Sequence, residues 1–252
     1  MQRKNGGSGR ETGRSERERQ AAAPIIPAGG ILHQSGGSAL QAGAASIPAP
    51  SDDMLRPQPD LASLVHSVRN CTLCAGSLPL GPRPVLQASA GARILVAGQA
   101  PGRKVHASGI PFDDASGERL RAWMGVDRDT FYDPGRIAIV PMGFCYPGTG
   151  RSGDLPPRPE CASTWRKPLL QALPGIRLTI VLGAHALAWH GRRAPAPASL
   201  TDAVQDWRRD APALWVLPHP SPRNNGWLKR HPWFAEELLP ALRRGVAEVL
   251  AD

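Results

Sequence analysis

Read from the first residue, apolar positions show no period at all through residue 57. That stretch is rich in Gly, Ala, Ser, Pro and Gln, with a charged cluster at Arg14–Arg19. It offers too little apolar surface to offset the entropy of ordering, so residues 1–57 are expected to form a disordered low-complexity tail. A pattern begins near Asp60. Leu61, Leu64, Val65 and Val68 recur at helical spacing and predict an amphipathic helix over 60–70. Beyond it, short continuous apolar runs alternate with helical patterns. Strands are predicted at 93–97, 136–141, 177–182 and 214–217. Helices are predicted at 117–124, at 160–173 closed by Pro174-Gly175, at 184–190, and at about 231–250, where Pro240 should introduce a kink. The Pro/Ala-rich segment 191–200 reads as a surface loop.

Strands alternating with helices imply an α/β three-layer sandwich, a central, mostly parallel four-stranded sheet between helices, occupying 58–252. In such folds ligands sit beyond the carboxyl ends of the strands. The loops 98–112 and 218–227 belong there, and they hold the most distinctive residues of the chain.

Charge narrows the partner. Thirty Lys+Arg against 21 Asp+Glu give a formal net charge of +9, which favours a polyanion such as DNA or RNA. No run approaches the roughly eighteen apolar residues of a membrane span. The start, residues 1–10, leads into Gly, Glu and Arg rather than an apolar h-region, so a secretory signal is not expected. A cytoplasmic, nucleoid-associated monomer is the expectation, with no membrane partner.

The chain has four cysteines. Cys71 and Cys74 form a C-x-x-C, and Cys145 and Cys161 follow, separated by fifteen residues. Four thiolates can hold a [4Fe–4S] cluster or a tetrahedral zinc, and spacing alone does not choose between them. Ordinary buried cysteines are the bland alternative.

Three features together resemble one family. They are Gly98-Gln99-Ala100-Pro101-Gly102, the later Gly109-Ile110-Pro111-Phe112, and the paired cysteines. They resemble the iron–sulfur uracil-DNA glycosylases, in which the first loop typically reads G-E-A-P-G. The second loop, His219-Pro220-Ser221-Pro222-Arg223-Asn224, resembles that of the single-strand-selective monofunctional uracil-DNA glycosylase. The likeness runs from about residue 60 to 245. It implies two loops closing on an extruded base, DNA containing uracil or related damaged bases as partner, and a structural [4Fe–4S] cluster on Cys71, Cys74, Cys145 and Cys161, which tips the metal away from zinc. The departures are equally specific. Ala100 stands where sister families use Asp or Asn to orient water, Arg103-Lys104-Val105-His106 replaces acidic residues, and Pro141 falls where the family reads uracil with an Asn.

A glycosylase flips its nucleotide out of the helix, holds the departing base anion and positions water. On that chemistry His219, on a strand end between two prolines, is the expected donor to uracil O2. Gln99 and Ala100 offer an amide and backbone N–H groups to the base or a water. His106 is the nearby group able to act as base near neutral pH, although a surface histidine is the commoner finding. Gly102 leaves room where uracil-strict enzymes carry a Tyr. Phe112 is expected to stack on the base, Pro141 to line its edge, and Arg223 to be the DNA wedge that fills the hole in the duplex, with Asn224 ordering the wedge loop. Trp227, Trp233 and Phe234 are expected to pack the closing helix, and His185, His190 and His231 have no expected role. The alternative function is a weakly active or non-catalytic binder of uracil-DNA on the same fold, kept open by Ala100. An iron–sulfur electron carrier or a zinc-stabilised RNA-binding module would leave the second loop without a purpose.

Overall fold

The computed structural model describes residues 60–151, 153–191 and 196–251. The expected tail over 1–57 lies outside them. Helix α1 (Leu61–Arg69) begins at an Asp60 cap whose carboxylate accepts from Ser63 N, and it buries Leu64, Val65 and Val68. Four strands follow in parallel: β1 (Ile94–Ala97), β2 (Ile137–Ile139), then β5 (Leu178–Leu182) and β6 (Leu214–Leu217). Between β2 and β5 lies a small antiparallel hairpin of β3 (Thr149–Gly150) and β4 (Gly153–Asp154). The main sheet runs in the order β2-β1-β5-β6.

The register explains the unbroken apolar runs. Ile94 pairs with Ile137 and Leu178, and Val96 with Ile139 and Ile180. These side chains enter one core with Leu120, Met124, Phe131 and Leu242. Leu95, Ala138 and Val140 point the other way, into a second core with Val68, Phe144, Leu169 and Leu173. Both faces are covered, so each strand reads as continuous apolar sequence, as buried parallel sheets do. The first core is covered by α3 (Ala115–Met124), α4 (Arg128–Tyr132), α8 (Leu200–Gln205) and α10 (Leu239–Ala251). The second is covered by α1 and the helical segment formed by α5 (Pro159–Cys161) and α6 (Lys167–Gln171). α7 (Ala184–His190) adds Ala186 against Ala97 and Val181.

Several local expectations are corrected. The segment 98–112 is not all loop, because α2 (Arg103–Ser108) starts at Gly102 and stops at Gly109, φ +75. A helix was missed here because it carries only one buried aliphatic residue, Val105. α4, the hairpin, α8 and α9 (Asn225–Arg230) were also unforeseen; each is short, with few periodic positions. α8 starts at Leu200, the last residue assigned to the surface loop. The closing helix begins at Phe234, not 231, and Pro240 follows a π-helical stretch, Phe234–Leu238. The same occurs at Pro168, which follows the π stretch Ala162–Arg166. Proline has no N–H for the i−4 carbonyl and its ring crowds that carbonyl, and a widened turn relieves both.

Candidate active site

A cleft of about 630 Å³ opens beyond the carboxyl ends of β1, β2 and β6. The loop after β1 supplies Gly98 through Gly102, the end of β2 supplies Pro141, and the loop after β6 supplies His219 and Ser221–Asn224. Phe112, Asp114 and Ser116 form a further wall, and the hairpin contributes Gly153 and Asp154. The structure therefore brings together Gln99, Ala100, Gly102, Phe112, Pro141, His219, Arg223 and Asn224. It leaves out His106.

The loop after β6 is tied to itself. The His219 carbonyl accepts from Asn224 Nδ2 at 2.7 Å, and Ser221 Oγ accepts from Arg223 N at 3.2 Å. Arg119 on α3 donates to the Ser221 carbonyl at 3.1 Å. Ser221 N donates to His219 Nδ1 at 3.2 Å. That bond fixes the tautomer: Nδ1 accepts, so Nε2 carries the proton and is the ring's donor. Burial holds the His219 pKa below its ordinary 6.5; Asp114 and Asp154 pull it up, and Arg223 pushes it down. The side chain is thus a neutral N–H donor held rigidly at a strand end. Asn224 commits its amide to this loop, the segment it was expected to order beside the wedge.

On the facing loop, Gln99 Nε2 donates to the Leu155 carbonyl at 2.8 Å, which leaves the side-chain oxygen as acceptor. Ala100 contributes no polar side-chain atom. The peptide of this loop is locked to the end of β2: Met142 N donates to Gly98 O at 2.8 Å and Gly143 N to Gln99 O at 2.9 Å. Pro141 falls between residues 140 and 142, which donate to β1 and its loop, and β2 is an edge strand. A residue at that position needs no N–H for the ladder, so proline is accommodated.

Phe112 holds φ +56, left-handed backbone that a non-glycine residue adopts at a cost of about 1–3 kcal/mol. Gly117 makes the conformation fit: a Cβ there would lie 1.8 Å from the Phe112 carbonyl oxygen. The ring stands edge-on to Phe131 at 6.2 Å and presents itself to the cleft.

His106, expected as a base, is buried in α2 with its ring 6.1 Å from that of Tyr146. Its Nδ1 has no hydrogen-bond partner among the described residues, and burial together with Arg83 lowers its pKa. It does not line the cleft, so its position does not suit a proton acceptor there.

Sequence reasoning missed four contributors. Asp114 caps α3, accepting from Gly117 N at 3.0 Å, and faces the cleft. Asp154 comes from the hairpin, for which the glycines at 148, 150 and 153 were an available turn signal. Arg119 anchors the second loop, and nothing in its local sequence marks it. Arg166, fully buried, donates to the carbonyls of Val140 at 2.9 Å and Pro141 at 3.1 Å and pairs with His190 Nε2. Burial takes its pKa down to about 10. His190, expected to be idle, thus helps fix the base of the cleft. His231 stacks on Trp227 at 4.4 Å, and Trp227, Trp233 and Phe234 pack together around the closing helix.

The four cysteines are free thiols drawn from three places: the end of α1, the loop after β2 and α5. Cys74 and Cys145 share a small apolar cluster with Leu78. Cys161 lies close enough to feel charge on Cys71, Cys74 and Cys145, and Cys145 feels Cys71 and Cys74. Burial pushes the Cys145 and Cys161 thiols up to about 11. Trp165 Nε1 donates to Cys71 Sγ at 3.3 Å. Among the described residues no three metal-binding side chains stand in a coordinating arrangement. By chemical type alone, four thiols with an N–H donor beside one sulfur suit an iron–sulfur cluster or zinc.

No helix of the described residues is long and apolar enough to cross a membrane. Among protein families, residues 87–243 match the model described as the uracil DNA glycosylase superfamily. The matched span begins before β1 and ends within α10, so it takes in both loops of the cleft and the whole sheet.

Proposed function

The chain belongs to the uracil DNA glycosylase superfamily, and from that premise we propose that it is a repair enzyme hydrolysing the N-glycosidic bond of uracil, and of other deaminated bases, in DNA. The observation that carries this reading is His219: neutral, half-buried, with Nε2–H free to donate into the cleft. A departing base leaves with negative charge, and a fixed donor at a rigid strand end meets it without reorganisation. Phe112 gives a flat surface for the extruded base, and Arg223, exposed at the mouth, is the wedge. Gln99 and the backbone of its loop meet the polar edge of the base, over Ala100 and Gly102, with Pro141 as apolar floor.

In the same reading Cys71, Cys74, Cys145 and Cys161 hold a structural [4Fe–4S] cluster, the protein works as a monomer, and the DNA contact draws on its positive charge. Such a cluster would tie α1, the loop after β2 and α5 into one unit behind the cleft.

The test is incubation of the purified protein with a uracil-containing oligonucleotide, followed by alkali. Strand scission at uracil is expected. Retention of the oligonucleotide without scission would replace the enzyme by a binding protein, and neither result would remove both.

A further inference from the structure

Hydrolysis needs a group that accepts a proton from the attacking water, and the loop that faces His219 carries none at Ala100. The side chains of the cleft can be sorted by the bonds they already make. The Gln99 amide nitrogen serves Leu155, Asn224 serves the His219 carbonyl, and Ser221 Oγ serves Arg223 N. His219 has its acceptor nitrogen occupied and its donor free. Two carboxylates remain, Asp114 and Asp154. Asp114 spends Oδ1 on the start of α3.

Asp154 is placed differently. Its Oδ2 lies against the first loop itself, 3.5 Å from the position a Cβ would take at Gly102. Since Gly102 has no side chain, nothing there covers that oxygen. Its Oδ1 accepts from Thr149 Oγ1 at 3.2 Å, and Thr149 in turn pairs with the Tyr146 hydroxyl at 2.5 Å. Because the Thr149 proton points to Asp154, Tyr146 donates to Thr149. A buried tyrosine thus fixes a hydroxyl, which fixes one carboxylate oxygen and leaves the other turned to the cleft.

We propose that Asp154 is the catalytic residue that orients the attacking water, supplied by the β3–β4 hairpin in place of the first loop, with Thr149 and Tyr146 as positioning residues. The inference rests on the glycosylase reading. The water oxygen forms a bond to C1′ of the deoxyribose as the C1′–N1 bond breaks. The electron pair of that bond leaves with the base, as an anion held by His219 Nε2–H. The water proton passes to Asp154 Oδ2 and from there to solvent, and the base anion takes a proton as it departs.

The experiment compares wild type with Asp154→Asn and Asp154→Ala in single turnover on a single-stranded uracil oligonucleotide. Binding is measured separately on an uncleavable 2′-fluorinated uracil oligonucleotide. Both variants are expected to lose about 10²–10⁴-fold in rate, the usual contribution of a proton acceptor, with binding within a few-fold of wild type. Added formate should restore part of the rate of Asp154→Ala, and Tyr146→Phe should lose less than either. Wild-type rates in Asp154→Asn overturn the assignment while leaving the glycosylase reading intact. A loss of rate matched by an equal loss of binding also overturns it, since the carboxylate would then be reading the base. A wild type that binds uracil-DNA but never cleaves it overturns the reading and this inference together.

Discussion

At the scale of single residues, the two histidines singled out by the sequence part company. His219 presents Nε2–H to the cleft, while His106 is buried beside Tyr146 and off the lining. His219→Ala should lower the single-turnover rate about 10²–10³-fold, the usual cost of one such donor, with uracil-DNA binding retained. Burial keeps the His219 pKa below 6.5, so the neutral donor persists as pH falls, and the rate should stay level through 6.5 before declining. His106→Ala should reduce stability more than rate. The sign of the pH effect follows from proton binding: with a folded pKa below 6.5, the unfolded chain binds more protons in that window. Stability is therefore complete above about 6.5 and is lost as pH falls through the lower folded value. Chemical denaturation at several pH values checks this, and an equal or larger rate loss in His106→Ala than in His219→Ala would reverse the two roles.

Arg223 makes a second prediction at this scale. A Cβ at Gly153 would collide with its guanidinium, so the side chain lies at the cleft mouth against the hairpin. From there a long charged group can fill a vacated place in the base stack and still reach a phosphate. Arg223→Ala is expected to lose more activity on a U·A pair than on single-stranded uracil, because only the duplex leaves a hole. Equal losses on both substrates would remove the wedge. With Pro141 lacking a side-chain amide and Gly102 lacking a wall, other deaminated bases should be cut in mispairs and single strands. Refusal of every base except uracil contradicts that part.

At the scale of elements, the cleft depends on where α3 begins. Asp114 caps it, Gly117 sits beneath the Phe112 carbonyl, and the left-handed turn at Phe112 is held between them. Gly117→Ala would place a methyl group inside that carbonyl, which backbone cannot yield cheaply. A loss of about 1–3 kcal/mol, the range for overpacking, is expected in urea unfolding, together with reduced uracil-DNA affinity as Phe112 shifts. Unchanged stability would mean that α3 can slide. Arg166 works in the same way from the other side, joining a π stretch to the carbonyls of Val140 and Pro141 just after β2, which is why a buried cation is tolerated there.

At the scale of the whole molecule, the four cysteines come from segments far apart in sequence, which the proposed cluster would join. Protein purified without oxygen should be brown and contain iron. Cys161→Ser should lose iron and melt at lower temperature, and removal of the metal from the wild type should lower its activity. A colourless protein with stoichiometric zinc and full activity would falsify the cluster.

Much of this molecule could be read before its fold was known, and the division has a physical basis. The sheet was legible because strands buried on both faces must be apolar throughout, so ILVA, LTIVL and LWVL announce themselves. The two site loops were legible because a parallel sheet opens its ligand crevice at the carboxyl ends of its strands, and Gly/Pro-rich sequence there is conspicuous. Short elements such as α2, α4 and the hairpin were not, since a few residues with one or two apolar contacts leave no period to detect. The roles of side chains divided in the same way. His219 lies on the motif itself, and its chemistry follows from its type and its place at a strand end. The burial of His106 beside Tyr146, the anchoring of the second loop by Arg119, and the arrival of Asp154 beside Gly102 depend on partners distant in sequence. Only folding sets those distances, because hydrogen bonds and desolvation act over a few ångströms of space and take no account of separation along the chain.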